Sequence, residues 1–312
     1  MIDIEDFDMG VKFGSKQFHS PVFTASGCAG SGKELAQFFD LQELGAVVTK
    51  SISLKPRSGR ATPRMAETPS GMLNSIGLQG PGIDQFLQDD IPWLVANNAK
   101  VIVSISGETV EEYASLSRRL RLVPGISGIE VNISCPNVEN RGLVFACDPM
   151  ASKAVIEAVR RNIGGELPII AKLSPDVTDI VAIAGEVITA GADGLALINT
   201  LLGMVIDIDT GKPKLAGKTG GLSGPAIRPV AVRAIYQVHA AFKDTPILGM
   251  GGVASGKDAL ELIFAGASAV SVGTASFGNP NAAIKIKQEM KSLLSQRGYN
   301  SISSAIGVAH RD

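Results

Sequence analysis

Eight short runs of β-branched and small apolar residues, each followed by a stretch of helical periodicity, constrain this chain more than any other feature. The runs lie at 22–27, 46–53, 101–107, 128–134, 168–174, 194–199, 246–252 and 269–274. The helical stretches lie at 33–44, 83–96, 110–122, 150–162, 179–190, 227–242, 257–265 and 281–296. The runs largely lack polar alternation, which marks strands covered on both faces, and Gly, Pro, Asp or Ser punctuates nearly every junction. Parallel strands of this kind close most economically as an α/β (β/α)8 TIM barrel; an open doubly wound sheet is the alternative. One barrel accounts for all 312 residues, so a single domain over 1–312 is predicted. Two additions are expected. Residues 8–21 read as an N-terminal β-hairpin with turn signals at Gly10 and Gly14-Ser15. Residues 204–224 read as a β-hairpin insertion after strand six, with alternating Val205-Ile206-Asp207-Ile208 and a turn at Asp209-Thr210-Gly211.

Composition narrows the class. Hydrophobic residues make up 45% and aromatics only 5%, which fits an aliphatic α/β core and not a disordered chain. A net charge of −1 gives no nucleic-acid footprint. The three cysteines, Cys28, Cys135 and Cys147, are odd in number and widely spaced. That pattern argues against a disulfide framework and against a metal site, and predicts reduced thiols in a cytoplasmic protein. The acidic start, Met1 to Asp6, predicts no signal peptide, and no apolar stretch is long enough for a membrane span.

In a barrel of this type the chemistry sits at the C-terminal ends of the strands. The unusual residues fall there: Ser26-Gly27, Lys50-Ser51, Ser104 to Gly107, Asn132 to Cys135, Lys172, Asn199-Thr200, Gly251-Gly252 and Gly273-Thr274. The glycines of 249–256 and 271–275, with Gly220-Gly221-Leu222-Ser223-Gly224, suit backbone contacts to a phosphate. Lys50 and Lys172 stand in otherwise apolar strands, which is costly unless they are paired or functional. Such a lysine can stabilise a reduced, anionic flavin or form an imine with a carbonyl. Asn74, Asn132, Asn137 and Asn199 could together hold a planar polar ring. In Asn132-Ile133-Ser134-Cys135-Pro136-Asn137 a thiol lies between two carboxamides, placed to act as base or nucleophile. His19, His239 and His310 do not cluster in sequence, and no histidine mechanism is predicted.

These residues carry a resemblance over essentially the whole chain. Thr49-Lys50-Ser51, Gly71-Met72-Leu73-Asn74-Ser75-Ile76-Gly77-Leu78-Gln79, the Cys135 segment, Lys172-Leu173-Ser174-Pro175, Asn199-Thr200 and the glycine loops resemble the class 1 dihydroorotate dehydrogenases, type 1B catalytic subunit. The Asn74 and Cys135 segments are specific together, whereas the glycine loops alone are weak. The resemblance implies FMN, with Ser26, Lys50, Ser51, Ser104, Asn132, Lys172, Ile198, Gly224, Gly251, Gly252, Gly273 and Thr274 as its contacts. Ser104 stands where the family commonly has Asn.

It also implies a substrate site of Lys50, Asn74, Ser75, Ile76, Gly77, Leu78, Asn132, Asn137, Asn199 and Thr200, with Cys135 as the catalytic base. The implied reaction oxidises (S)-dihydroorotate to orotate in pyrimidine biosynthesis. A hydride passes from C6 to FMN, the C5 proton passes to Cys135, and electrons reach NAD+ through a partner subunit. That partner is expected to carry FAD and a [2Fe-2S] cluster, since this chain has neither cluster-like cysteine spacing nor a dinucleotide fingerprint. A homodimer within a heterotetramer is the implied assembly. The alternatives are a fumarate-dependent type 1A enzyme and an FMN barrel like that of dihydropyrimidine dehydrogenase, which the Phe145-Ala146-Cys147-Asp148-Pro149 stretch resembles. An imine-forming lyase using Lys172 and a non-catalytic flavin protein are more distant readings.

Overall fold

A computed structural model describes residues 7–134 and 145–311. All eight expected strands form one sheet. They are β1 (Val22–Thr24), β2 (Val47–Val48), β3 (Val101–Ile105), β4 (Ile126–Asn132), β5 (Ile169–Leu173), β6 (Gly194–Leu197), β7 (Ile247–Met250) and β8 (Ala269–Val272). The ladder runs β1-β8-β7-β6-β5-β4-β3-β2, parallel throughout. The seam between β1 and β2 is closed by other means. Gly45 N–H donates to Val22 O at 2.8 Å and Thr24 N–H to Ala46 O at 3.3 Å. The Thr24 hydroxyl donates to Val48 O at 3.1 Å and accepts from Val48 N–H at 2.8 Å. A side chain thus supplies part of what a longer ladder would. Gly45 must be bare here, because a Cβ would lie 2.1 Å from the Phe23 ring and 2.2 Å from Ser20 O.

The N-terminal hairpin pairs Val11–Phe13 with Lys16–Phe18 across Gly14-Ser15, as expected. Phe13, Phe18 and Phe23 form a fully buried aromatic group with centroids 5.1–6.2 Å apart, plugging the end of the barrel where the strands begin. From β3 onward the helices match expectation, for example Pro149–Ile163, Arg228–Ala241 and Ala282–Gln296. The first two do not. Residues 33–44 form only two 3-10 turns, the second held by Asp40 accepting from Gln42 N–H at 3.0 Å. Residues 83–96 form a helix whose middle, Phe86–Asp90, widens to π geometry. Pro92, lacking an N–H, sits at the start of the next turn and relaxes the usual bonding register.

One element goes beyond the sequence reading. Leu201–Gly203, Gly220–Ser223, Gly71–Asn74 and Met65–Thr68 form a four-stranded antiparallel sheet in that order. The predicted hairpin after β6 is present as a short pair, Ile206–Asp207 with Lys212–Pro213. Its flanks, however, belong to this larger sheet, which leaves β6 at Asn199-Thr200 and so covers the C-terminal mouth of the barrel.

Candidate active site

Beneath this sheet lies a cavity of about 1020 Å³. Its walls come from every barrel strand end except β3, and from Met65 to Thr68, Met72 and Asn74 of the covering sheet. Large, partly apolar pockets with a few placed polar groups are where ligands bind.

The floor is a chain of buried hydrogen bonds. Lys172, on β5, is 4% exposed and donates through Nζ to Ser26 Oγ at 2.9 Å. Its Nζ is 3.9 Å from Glu130 Oε1, on β4. Glu130 Oε1 accepts from Ser104 Oγ at 2.8 Å, and Ser104 Oγ lies 2.9 Å from Ser51 Oγ. Ser51 Oγ accepts from Asn132 Nδ2 at 3.0 Å. Asn132 Oδ1 in turn accepts from Ser134 Oγ at 3.0 Å, and Asn199 Nδ2 donates to Ser134 Oγ at 2.6 Å. Strand register explains the grouping. Glu130 and Asn132 are two residues apart and share a face, with Ser104 opposite Glu130 and Lys172 opposite Asn132. The Tyr113 hydroxyl donates to Asn132 O at 2.8 Å from the helix outside, fixing the end of β4.

The β7–β8 side is built from backbone. Gly251 and Gly252 have φ of +122° and +75°, a region L side chains avoid. A Cβ on Gly252 would lie 2.7 Å from Arg228 Cβ. Ser271, in the cavity wall, has a buried hydroxyl without a partner among the described residues. Thr274 Oγ1 donates to Ser223 Oγ at 2.8 Å, tying this rim to the covering sheet. Exposed peptide groups with an unpaired hydroxyl suit a phosphate ester.

On the opposite side, residues 57–64 clasp the loop 74–80. Arg57 and Gly80 exchange backbone bonds at 2.9 and 3.0 Å, and Arg60 N–H donates to Ile76 O at 3.0 Å. Arg60 Nη1 donates to Ser75 Oγ at 3.0 Å, and Arg64 Nη1 to Gln79 Oε1 at 2.5 Å. Lys50 faces the cavity beside this clasp. Desolvation, and secondly the Arg64 charge, hold its ammonium below the usual lysine range. Burial pushes the Cys28 thiol up to about 11, although the Lys172 charge pulls the other way. Cys28 is therefore a neutral wall group.

The comparisons with known proteins decide among the readings of this pocket. The family model for dihydroorotate dehydrogenase matches residues 9–294. A Geobacter sp. (strain M21) protein named dihydroorotate dehydrogenase B (NAD(+)), catalytic subunit, is 51% identical over 301 residues, covering 96% of this chain and 98% of the relative. Proteins of the same name from Trichlorobacter lovleyi and Desulforudis audaxviator are 52% and 51% identical, covering 96% and 94% of this chain and 98% and 94% of the relatives. The chain belongs to the dihydroorotate dehydrogenase family.

Most residues that the family resemblance singled out converge on the cavity. Ser26, Lys50, Ser51, Asn132, Lys172, Ile198, Gly224, Gly251, Gly252, Gly273 and Thr274 line it, as do Asn74, Ile76, Gly77, Leu78, Asn199 and Thr200. Ser104 sits one side chain behind Ser51, and Ser75 is buried under the Arg60 clasp; neither lines the cavity. Cys135 and Asn137 lie outside the described residues. Two groups were missed. Glu130 stands inside the run 128–134, and a carboxylate inside a buried strand is the same signal that singles out Lys172. Arg60 and the strand Met65–Thr68 carry no local signal, because their role depends on pairing across distant segments. The histidine reading also changes. His239 and His310 come together in the outer layer with ring centroids 5.0 Å apart, and Tyr236 stacks on His310 at 3.9 Å. None of the three residues lines the cavity.

Proposed function

We propose that this chain is the FMN-binding catalytic subunit of a type B dihydroorotate dehydrogenase, acting as one domain. The observation that carries the reading is the pairing of a backbone-lined rim at Gly251-Gly252 and Gly273-Thr274 with an amide- and lysine-lined chamber beside it, in a chain that aligns end to end with relatives bearing that name. The residues fit FMN. The glycine rim and the orphaned Ser271 hydroxyl suit its phosphate, and the Lys172–Asn132–Ser51 floor suits the polar edge of its ring. When bound, FMN supplies the acceptor for the hydride from C6 of (S)-dihydroorotate.

The protein residues do the remaining work. Asn74, Asn132 and Asn199 present amides to the pyrimidine carbonyls and ring N–H groups. Lys50, with Arg64 behind it, gives the chamber positive charge for the substrate carboxylate. Cys135, directly beyond Ser134 in sequence, takes the C5 proton once ionised. Asn137 completes the amide set. Electrons leave through a separate subunit that carries FAD and a [2Fe-2S] cluster and reduces NAD+. Two copies of each chain form the working heterotetramer, in the cytoplasm. Among the described residues no helix is long and apolar enough to cross a membrane.

The test is anaerobic addition of (S)-dihydroorotate to the purified chain. A flavin absorbance that bleaches supports the reading. A colourless protein, or a flavin perturbed by uracil and untouched by dihydroorotate, overturns it.

A further inference from the structure

We propose that Glu130 is a positioning residue for this reaction. Its carboxylate fixes the orientation of the Asn132 amide through Ser104 and Ser51, and it balances the charge of Lys172. The proposal rests on the flavin reading above and concerns how this chain presents itself to that cofactor.

Glu130 is 1% exposed and does not line the cavity, so it touches neither substrate nor cofactor directly. Its two oxygens are used unequally. Oε1 accepts from Ser104 Oγ and faces Lys172 Nζ, whereas Oε2 has no hydrogen-bond partner among the described residues. A carboxylate kept only to stabilise the fold would have both oxygens satisfied, because a half-paired buried charge destabilises.

The donors line up in one direction. Ser104 Oγ donates to Glu130 Oε1. Ser104 Oγ then accepts from the Ser51 hydroxyl, and Ser51 Oγ accepts from the Asn132 amide N–H. The relay leaves the Asn132 NH2 group on the Ser51 side and its carbonyl on the side of Ser134 and Asn199. An amide that could rotate freely would present donor and acceptor interchangeably to a pyrimidine ring. One that is polarised from below presents a single pattern.

The same oxygen sets the electrostatics. Lys172 is 4% exposed, and within this buried pair its charge is opposed only at 3.9 Å, with its hydrogen bond going to Ser26. In a dry interior such a pair is nearly neutral seen from the cavity, and removing one partner leaves the other acting at full strength. Without Glu130, the unopposed ammonium favours the anionic reduced ring.

The experiment uses the flavin-loaded enzyme and two readouts other than turnover: the flavin midpoint potential, and orotate affinity from the perturbed flavin spectrum. Glu130→Gln keeps shape but removes the charge, and its amide can donate, so the relay can reverse. The expected result is a more positive potential together with orotate binding weakened roughly fivefold to tenfold, the size of one misdirected hydrogen bond. Ser104→Ala keeps the carboxylate and cuts only the relay. It is expected to weaken orotate similarly while moving the potential less than Glu130→Gln does, and it preserves the test should Glu130→Gln fold poorly. A Glu130→Gln potential equal to wild type, or a Ser104→Ala orotate affinity equal to wild type, overturns the proposal. A wild-type chain that takes up no flavin overturns the function reading beneath it instead.

Discussion

The floor of the cavity comes from consecutive βα units, whereas the sheet above it is assembled from three stretches of chain far apart in sequence. The floor side chains Ser51, Ser104, Glu130, Asn132 and Lys172 are each under 10% exposed and each makes at least one side-chain hydrogen bond. The covering strands are mostly half-buried, three of the four carry glycine, and they are held by backbone ladders of three or four residues. A buried, hydrogen-bonded floor suits a ligand that stays. A thin cover suits one that must enter and leave at every turnover, since the less stable parts of a structure are those that open. Under the proposed function, FMN would take the floor and dihydroorotate the space below the cover.

Four changes would break or sharpen this division. The largest effect belongs to Cys135→Ala, which removes the proposed base. Losing a general base should slow flavin reduction by dihydroorotate about 10²–10⁴-fold while leaving flavin content at one per chain, as stopped-flow and absorbance would show. Next is Gly252→Val. A side chain at φ +75° facing Arg228 should weaken flavin retention about tenfold to a hundredfold, read by gel filtration and the flavin-to-protein ratio. The covering sheet should behave in the opposite way. Leu73, 1% exposed, is the buried side chain of the strand Gly71–Asn74. Leu73→Ala should loosen that sheet, raising the KM for dihydroorotate roughly tenfold with flavin content unchanged.

The smallest effect is one of pH. A free thiol ionises near ~8.5, so activity should rise into mildly alkaline pH as Cys135 loses its proton. Burial and Arg64 hold the Lys50 pKa below the ordinary lysine range, so its charge is present at low pH and lost as pH rises through that lowered value. The profile of kcat/KM should therefore be bell-shaped. Lys50→Arg, whose guanidinium stays charged, should extend the alkaline limb.

The same contrast explains what the sequence made legible. Barrel strands are short, contiguous and buried on both faces, so β-branched runs such as Val101–Ile105 identify themselves. Glycines and lysines at strand ends stand out against that background, and Lys50, Lys172, Gly251, Gly252 and Gly273 of the cavity lining followed from them. The covering sheet has no such signature. Gly220–Ser223 reads as a loop because its partners, Asn74 and Leu202, lie 147 and 19 residues away from Gly221. Gly221 itself is required by close approach, since a Cβ there would fall 2.0 Å from Thr200 Oγ1, a constraint visible only once the segments meet. Glu130 is hard to see in sequence for a different reason: one charged residue inside an apolar run is averaged away, although the strand it lies on is buried.

The most direct measurement is a crystal structure of the chain with FMN and orotate bound. The account predicts the FMN phosphate on the backbone of Gly251-Gly252 and Gly273-Thr274, its ring over Lys172 and Asn132, and orotate between that ring and Asn74 with its carboxylate toward Lys50. A phosphate seated away from the two glycine pairs, or orotate bound outside the space beneath the four-stranded sheet, would contradict it.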